Sequence, residues 1–212
     1  ELLGQILGSS FLSSRIPRVV RGEYGLAYSV GAYFLGGNHG PGIPGVFVAK
    51  CQTRHPTLVF AAQLMLREIL RIREEAVSQE ELERARASRI HQLRSIFATP
   101  GSTVRAFGHL ELDGLPLDFY DGWQARYEDV TPGEVGRVAK EYLRPEALVI
   151  LLVGIWDAMK DGAGPEEPAQ DGIEAMASMF GGRTVADLAR LFGDGTVHRL
   201  PPAAPPAKDV PF

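Results

Sequence analysis

A two-layer α+β sandwich, with helices on one face of a largely antiparallel sheet, is what this sequence predicts, and three features predict it. Two strand-like stretches, Gly25 to Phe34 and Val46 to Thr53, flank the run Gly36-Gly37-Asn38-His39-Gly40-Pro41-Gly42, so they read as a hairpin. Amphipathic helical patterns follow, each with a single apolar stripe that a sheet can bury. Leu148-Val149-Ile150-Leu151-Leu152-Val153 is then an uninterrupted aliphatic run of the kind buried on both faces of a sheet, and it is expected to close the domain as a central strand.

In chain order, Leu2, Leu3, Ile6 and Leu7 recur at helical spacing, Gly8-Ser9-Ser10 interrupts them, and a second short segment runs from about Ser13 to Val20. In the second strand Phe47, Ala49 and Cys51 share one face, which makes Cys51 a half-buried structural thiol. Ala62, Met65, Ile69, Ile72 and Ala76 draw a stripe down one helix, with Arg67, Glu68, Arg71 and Glu75 on its other side. Ser78 and Glu81 have capping-box spacing and start the next helix, on which Glu80 and Arg84 pair at i,i+4. Thr131-Pro132-Gly133-Glu134 repeats the capping logic, and Val135, Val138, Ala139, Tyr142 and Leu143 supply the buried stripe behind it. After Gly154 the composition turns to Pro, Gly, Ala and acidic residues, so the chain divides into a domain over 1–154 and a tail over 155–212 with one short helix around Thr184 to Leu191. Pro201-Pro202 and Pro205-Pro206 favour an extended polyproline path that cannot enter a sheet interior.

The 212 residues suffice for one core, and a charged fraction of 23% beside an apolar fraction of 45% describes an ordinary globular chain. Lys and Arg number 22 against 26 Asp and Glu, which gives no electrostatic footprint for a phosphate backbone, so nucleic acid is not an expected partner. No apolar run reaches the roughly 18 residues of a membrane span, and the first residues carry no signal pattern. One cysteine leaves no intramolecular disulfide. The histidines, at 39, 55, 91, 109 and 198, form neither His-x-x-x-His nor His-x-x-Glu-His, so no local metal site is encoded and no cofactor is expected in this chain. His39 reads as a solvent-exposed loop histidine. The glycines at 36–42 are not followed by Gly-Lys-Ser/Thr and do not form a phosphate loop.

Residues 4 to 30 carry the most specific text. Leu7-Gly8 with Ser13-Ser14-Arg15-Ile16, then Gly25-Leu26-Ala27-Tyr28-Ser29-Val30, then Val77-Ser78-Gln79-Glu80-Glu81-Leu82, and finally Val130-Thr131-Pro132-Gly133-Glu134-Val135 and Val153-Gly154 stand in a fixed order. In that order the chain resembles the second, zinc-free domain of the insulinase/pitrilysin-type zinc metallopeptidases, a group that includes the mitochondrial processing peptidases. The resemblance covers about residues 1 to 154. It departs from the pattern at Ser9, which stands where the first motif has a second glycine, and over 155–212, which have no counterpart. The usual opening strand is absent before Glu1, which leads to the expectation of a fragment of a longer polypeptide or of a tail that fills the vacated edge.

The resemblance implies the metallopeptidase sandwich fold, with the open sheet face lining a substrate chamber. It implies a peptide substrate and a zinc-bearing homologous partner domain, on whose His-x-x-Glu-His helix the metal and general base reside. It also implies that an arginine and a tyrosine seven residues apart, here Arg21 and Tyr28, contact substrate. A guanidinium and a phenol can both donate to a peptide carbonyl and to the oxyanion formed on it, and loss of such a donor costs about 2.7–4 kcal/mol at a transition state. Structural readings of the same pair stand beside this one. Tyr28 shares strand parity with Leu26, Val30 and Phe34 and so reads equally as a core tyrosine, and Arg21 as a cation at a helix C-terminus. Tyr24 and Tyr33 have no comparable motif support.

The function expected is that of a non-catalytic, substrate-binding domain of a zinc endopeptidase, inactive alone and working with a zinc-bearing partner. The alternatives are a non-proteolytic scaffold subunit of the same fold and an unrelated ligand-binding α/β domain, which would show a closed apolar pocket in place of an open sheet face.

Overall fold

The computed structural model describes residues 1–10, 13–35, 45–162, 170–192 and 196–198. The glycine-rich connection with His39 and the Pro-rich stretch from Pro201 lie outside the described residues.

The chain opens as helix α1 (Leu2–Gly4), which widens into π-type turns over Gln5–Ser9. Leu2, Leu3, Ile6 and Leu7 are buried on one side of it, as their spacing requires. Helix α2 (Arg15–Pro17) widens in the same way over Arg18–Glu23 and buries Val19 and Val20. Strands β1 (Val30–Leu35) and β2 (Val46–Cys51) pair antiparallel, with Val30 opposite Cys51, Ala32 opposite Ala49 and Phe34 opposite Phe47. The hairpin pairing is therefore as expected, but β1 begins five residues later than the sequence suggests.

Gly8 lies directly against β1. A Cβ there would sit 2.1 Å from the Ala32 nitrogen, so only glycine lets the helix touch the strand backbone. Ser9, the departure from the motif, has its hydroxyl 3.1 Å from the Gly4 carbonyl and 3.2 Å from that of Ala32. A second glycine could offer neither hydrogen bond.

Helix α3 (Leu58–Glu74) is the centre of the core and buries Val59, Phe60, Leu64, Leu66, Ile69 and Ile72. Helix α4 (Gln79–Ile96) starts at the expected capping box: the Glu81 amide donates to the Ser78 hydroxyl and the Ser78 amide to the Glu81 carboxylate, each at 3.1 Å. Two helices absent from the sequence reading follow, α5 (Pro100–Leu112) and α6 (Trp123–Glu128). Between α4 and α6, Phe97, Phe107, Phe119, Tyr120, Trp123 and Tyr127 form a continuous chain of aromatic contacts. Helix α7 (Pro132–Tyr142) begins at the Thr131–Glu134 box and packs on α3.

The α+β class holds, but the sheet is smaller than expected: among the described residues it has two strands. Residues 148–153 have no regular secondary structure and join no ladder. Leu148, Ile150 and Leu152 pack against the core, while Val149, Leu151 and Val153 are 92%, 72% and 76% exposed. The expectation of a central strand buried on both faces is therefore corrected. Burial on two faces requires packed layers on both, and here the core covers only the side of Leu148, Ile150 and Leu152.

The residues after Gly154 are more structured than a tail with one short helix. They form α8 (Trp156–Met159), α9 (Gln170–Met179) and α10 (Val185–Phe192), the last matching the expected helix. Both α9 and α10 pack on α3, and Met176, Phe180, Val185 and Leu188 are buried in the main core cluster. The buried Gln63 amide donates to the Gly182 carbonyl at 2.8 Å.

Candidate functional site: an arginine and an exposed tyrosine

The site is built by the turn that leads from α2 into β1. Arg21 stands in the last turn of the Arg18–Glu23 stretch, where a cation is favoured, so the helix-terminus reading of this residue agrees with its position. The chain leaves that helix through hydrogen bonds from the Tyr24 amide to the Val19 carbonyl and from the Gly25 amide to the Arg21 carbonyl, each 3.1 Å. Gly25 has φ +59°, which an L residue adopts only with strain, and the left-handed step turns the chain toward the sheet. Leu26 then donates to the Val20 carbonyl at 2.9 Å, and Ala27 is buried.

Tyr28 follows, and it is 75% exposed. The reading of Tyr28 as a core tyrosine is overturned, because the alternation of β1 begins only at Val30 and the parity argument has no strand to act on at position 28. The ring is covered instead by Arg21, whose guanidinium carbon lies 4.8 Å from the ring centroid. Of the other two tyrosines near the hairpin, Tyr24 packs edge-on against Phe60 at 5.2 Å, and Tyr33 lies under the Lys50 ammonium at 5.3 Å.

Two further hydrogen bonds fix the turn to the segment that leads from β2 to α3. The Thr53 hydroxyl donates to the Leu26 carbonyl at 2.7 Å, and the Gln52 amide donates to the Ser29 carbonyl at 2.9 Å. Neither residue was singled out in the sequence. Their signal is faint: a threonine between a strand and a helix is ordinarily read as a cap.

A cleft of about 440 Å³ lies between β2 and residues 148–152, floored by Ala61, Ala62, Met65, Leu66 and Ile69 of α3. It is bounded by the edge of β2, with which no described strand other than β1 pairs. Cys51 lines it, and burial pushes the thiol up to about 11, so it is a protonated thiol and a poor nucleophile at neutral pH. Among the described residues, no group of three or more His, Cys, Asp and Glu side chains is placed to hold a metal ion, and no helix is long and apolar enough to cross a membrane.

Fold and site together define an α+β domain in which one short turn holds an arginine against an exposed tyrosine at the edge of a helix-covered hairpin. Residues 1–89 match the family of the peptidase M16 inactive domain. A stretch of 95 residues is 40% identical to an uncharacterized zinc protease of Rickettsia bellii strain RML369-C, covering 45% of this chain and 21% of that protein. In structure the chain is similar to the peptidase M16 inactive domain from Pseudomonas fluorescens, with a TM-score of 0.60 at 23% identity over 68% of this chain and 33% of the other. A protease from Helicobacter pylori matches with a TM-score of 0.55 at 15% identity, over the same shares. The resemblance read from the motifs is thus borne out, and over its matched residues the chain is similar to the non-catalytic domain of M16 zinc proteases. It spans about a fifth of the length of the curated relative.

Proposed function

We propose that this chain is the substrate-binding, non-catalytic part of an insulinase/pitrilysin-type zinc endopeptidase, and that it lends Arg21 and Tyr28 to a zinc-bearing partner domain. The observation that carries the reading is the stacked pair itself: a half-buried guanidinium 4.8 Å from the ring of a tyrosine that is three-quarters exposed. An exposed cation–π pair contributes only about 0.5–1 kcal/mol to a fold, so stability is a weak reason to bolt a turn in place around it. Substrate contact is a stronger one. Both groups are hydrogen-bond donors, and both can point at a peptide carbonyl whose oxygen gains charge as water attacks. Attack itself requires a metal-bound water and a general base, and these belong to the partner domain in this reading.

Mixing the chain with a zinc-bearing homologue from the same source tests it. The expected result is that neither protein alone cleaves a quenched fluorogenic peptide at an appreciable rate, that the mixture does, and that chelation abolishes the activity. A homologue fully active by itself, with no gain on addition of this chain, would contradict the proposal and favour a scaffold role.

A further inference from the structure

We infer that Thr53 is a positioning residue for the Arg21–Tyr28 pair, an inference that rests on the functional reading above. Tyr28 sits on a short bridge between two anchored carbonyls. Leu26 is held at both ends, its amide by the Val20 carbonyl at 2.9 Å and its carbonyl by the Thr53 hydroxyl at 2.7 Å. Ser29, on the other side, is held through its carbonyl by the Gln52 amide at 2.9 Å. Between them Ala27 is buried and Tyr28 is pushed outward.

The proton count makes Thr53 directional. Its single hydroxyl proton goes to Leu26, which leaves the oxygen as an acceptor for the Thr57 hydroxyl 2.9 Å away. The single Thr57 hydroxyl proton is shared between the Thr53 oxygen and the Arg54 carbonyl 3.0 Å away, and Thr57 is buried in the turn that starts α3. Two hydroxyls therefore tie the tyrosine-bearing turn to the start of α3, the helix at the centre of the core. The Leu26 and Ser29 backbone bonds run to Val20 and to the residue after β2, whereas the Thr53 hydroxyl couples the turn to the start of α3. The consequence is that the ring of Tyr28 stays over Arg21 before substrate arrives, and a donor held in place loses little entropy on binding.

The test compares Thr53→Val, which keeps the shape and removes the hydroxyl, with Thr53→Ser, which keeps the hydroxyl. The first readout is the upfield ring-current shift of the Arg21 side-chain protons in the NMR spectrum, and the second is kcat for a quenched fluorogenic peptide with the zinc-bearing homologue. In Thr53→Val the Arg21 shift is expected to move to its random-coil position while cooperative unfolding is retained, and kcat to fall roughly 10- to 100-fold with a smaller change in KM. Thr53→Ser is expected to restore both. In the wild-type protein the Thr53 hydroxyl proton is expected to exchange slowly, a result that needs no variant. An Arg21 shift unchanged in Thr53→Val, or a rapidly exchanging hydroxyl, would overturn the inference. A shift that collapses in Thr53→Val and returns in Thr53→Ser, in a protein whose Tyr28→Phe variant turns over normally, upholds the positioning role and refutes the functional reading alone.

Discussion

Arg15 grips Glu81 with two prongs, Nε to Oε1 at 2.7 Å and Nη2 to Oε2 at 2.8 Å, and the pair is mostly buried. Glu81 is at the same time the capping residue of α4, so one carboxylate ties the N-terminal Ser-Arg motif to the start of a helix 66 positions away. The Arg15 guanidinium, helped by the Ser78 amide, holds the Glu81 carboxyl down from its ordinary 4.5 to about 2, against the opposing effect of burial. A lowered folded-state pKa stabilises the fold above the unfolded value and loses that contribution as protons bind. Stability supplied by this pair, on the order of 3 kcal/mol at most, is therefore expected at neutral pH and lost as pH falls from about 4.5 toward about 2. Arg15→Gln should destabilise the protein by up to about 3 kcal/mol at pH 7, because the half-buried Glu81 carboxylate loses its main partner. The gap between its melting temperature and that of the wild type should close as pH falls through this window. A gap independent of pH would mean that Arg15 acts through packing alone.

Gly8 and Gly136 make a matched pair of substitutions. At Gly8 an added Cβ would meet the Ala32 nitrogen at 2.1 Å and its Cβ at 2.4 Å, both on a paired strand that cannot move aside. Gly8→Ala is expected to cost about 2 kcal/mol or more, or to prevent folding, as severe overpacking does. Gly136 lies inside α7 with nothing within 4 Å of the added carbon, so Gly136→Ala should stabilise by up to about 1 kcal/mol. Urea unfolding of both variants checks the contrast.

The helices after Gly154 supply part of the core. Truncation after that residue would expose the surface now covered by Met176, Phe180, Val185 and Leu188, each worth about 1.5–3 kcal/mol when fully buried, and would strip the Gln63 amide of its Gly182 acceptor. Some of that gain is offset by the entropy of ordering the segment, so a net loss on the order of a few kcal/mol is expected in urea. Unchanged unfolding on truncation would show that the segment is merely laid against α3.

What the sequence revealed of this fold was local, and what it hid was set by distant neighbours. The boxes at Ser78 and Thr131 were legible because a cap is a contact three residues long. The box at Thr99 escaped because Ser102, not glutamate or glutamine, answers it there, and α5 went unseen with it. Residues 148–153 were misread for the opposite reason: aliphatic composition reports an affinity for burial, but the layers packed against a segment decide how many of its faces are covered. Helices α9 and α10 bury residues against α3, far away in sequence, and of the two only α9, whose stripe is interrupted by Gly172, escaped the reading. At the site, Arg21 and Tyr28 were found by motif, whereas the exposure of Tyr28 was not readable, because parity was extended to residues that precede the start of β1 at Val30. Arg15, noticed only as part of a motif, proved to be an internal clamp.

The most direct measurement of the proposed role is steady-state kinetics of Tyr28→Phe and Arg21→Lys with a zinc-bearing homologue, alongside thermal melting of the same preparations. If Tyr28 donates to the developing oxyanion, Tyr28→Phe should lower kcat by about 100-fold or more with little change in KM, and the exposed ring should leave the melting temperature unaltered. Arg21→Lys keeps the charge and loses the planar fork, and it should also be poorly tolerated. Full activity of both variants with a competent partner would contradict a substrate-contacting role for the pair and leave the domain a scaffold.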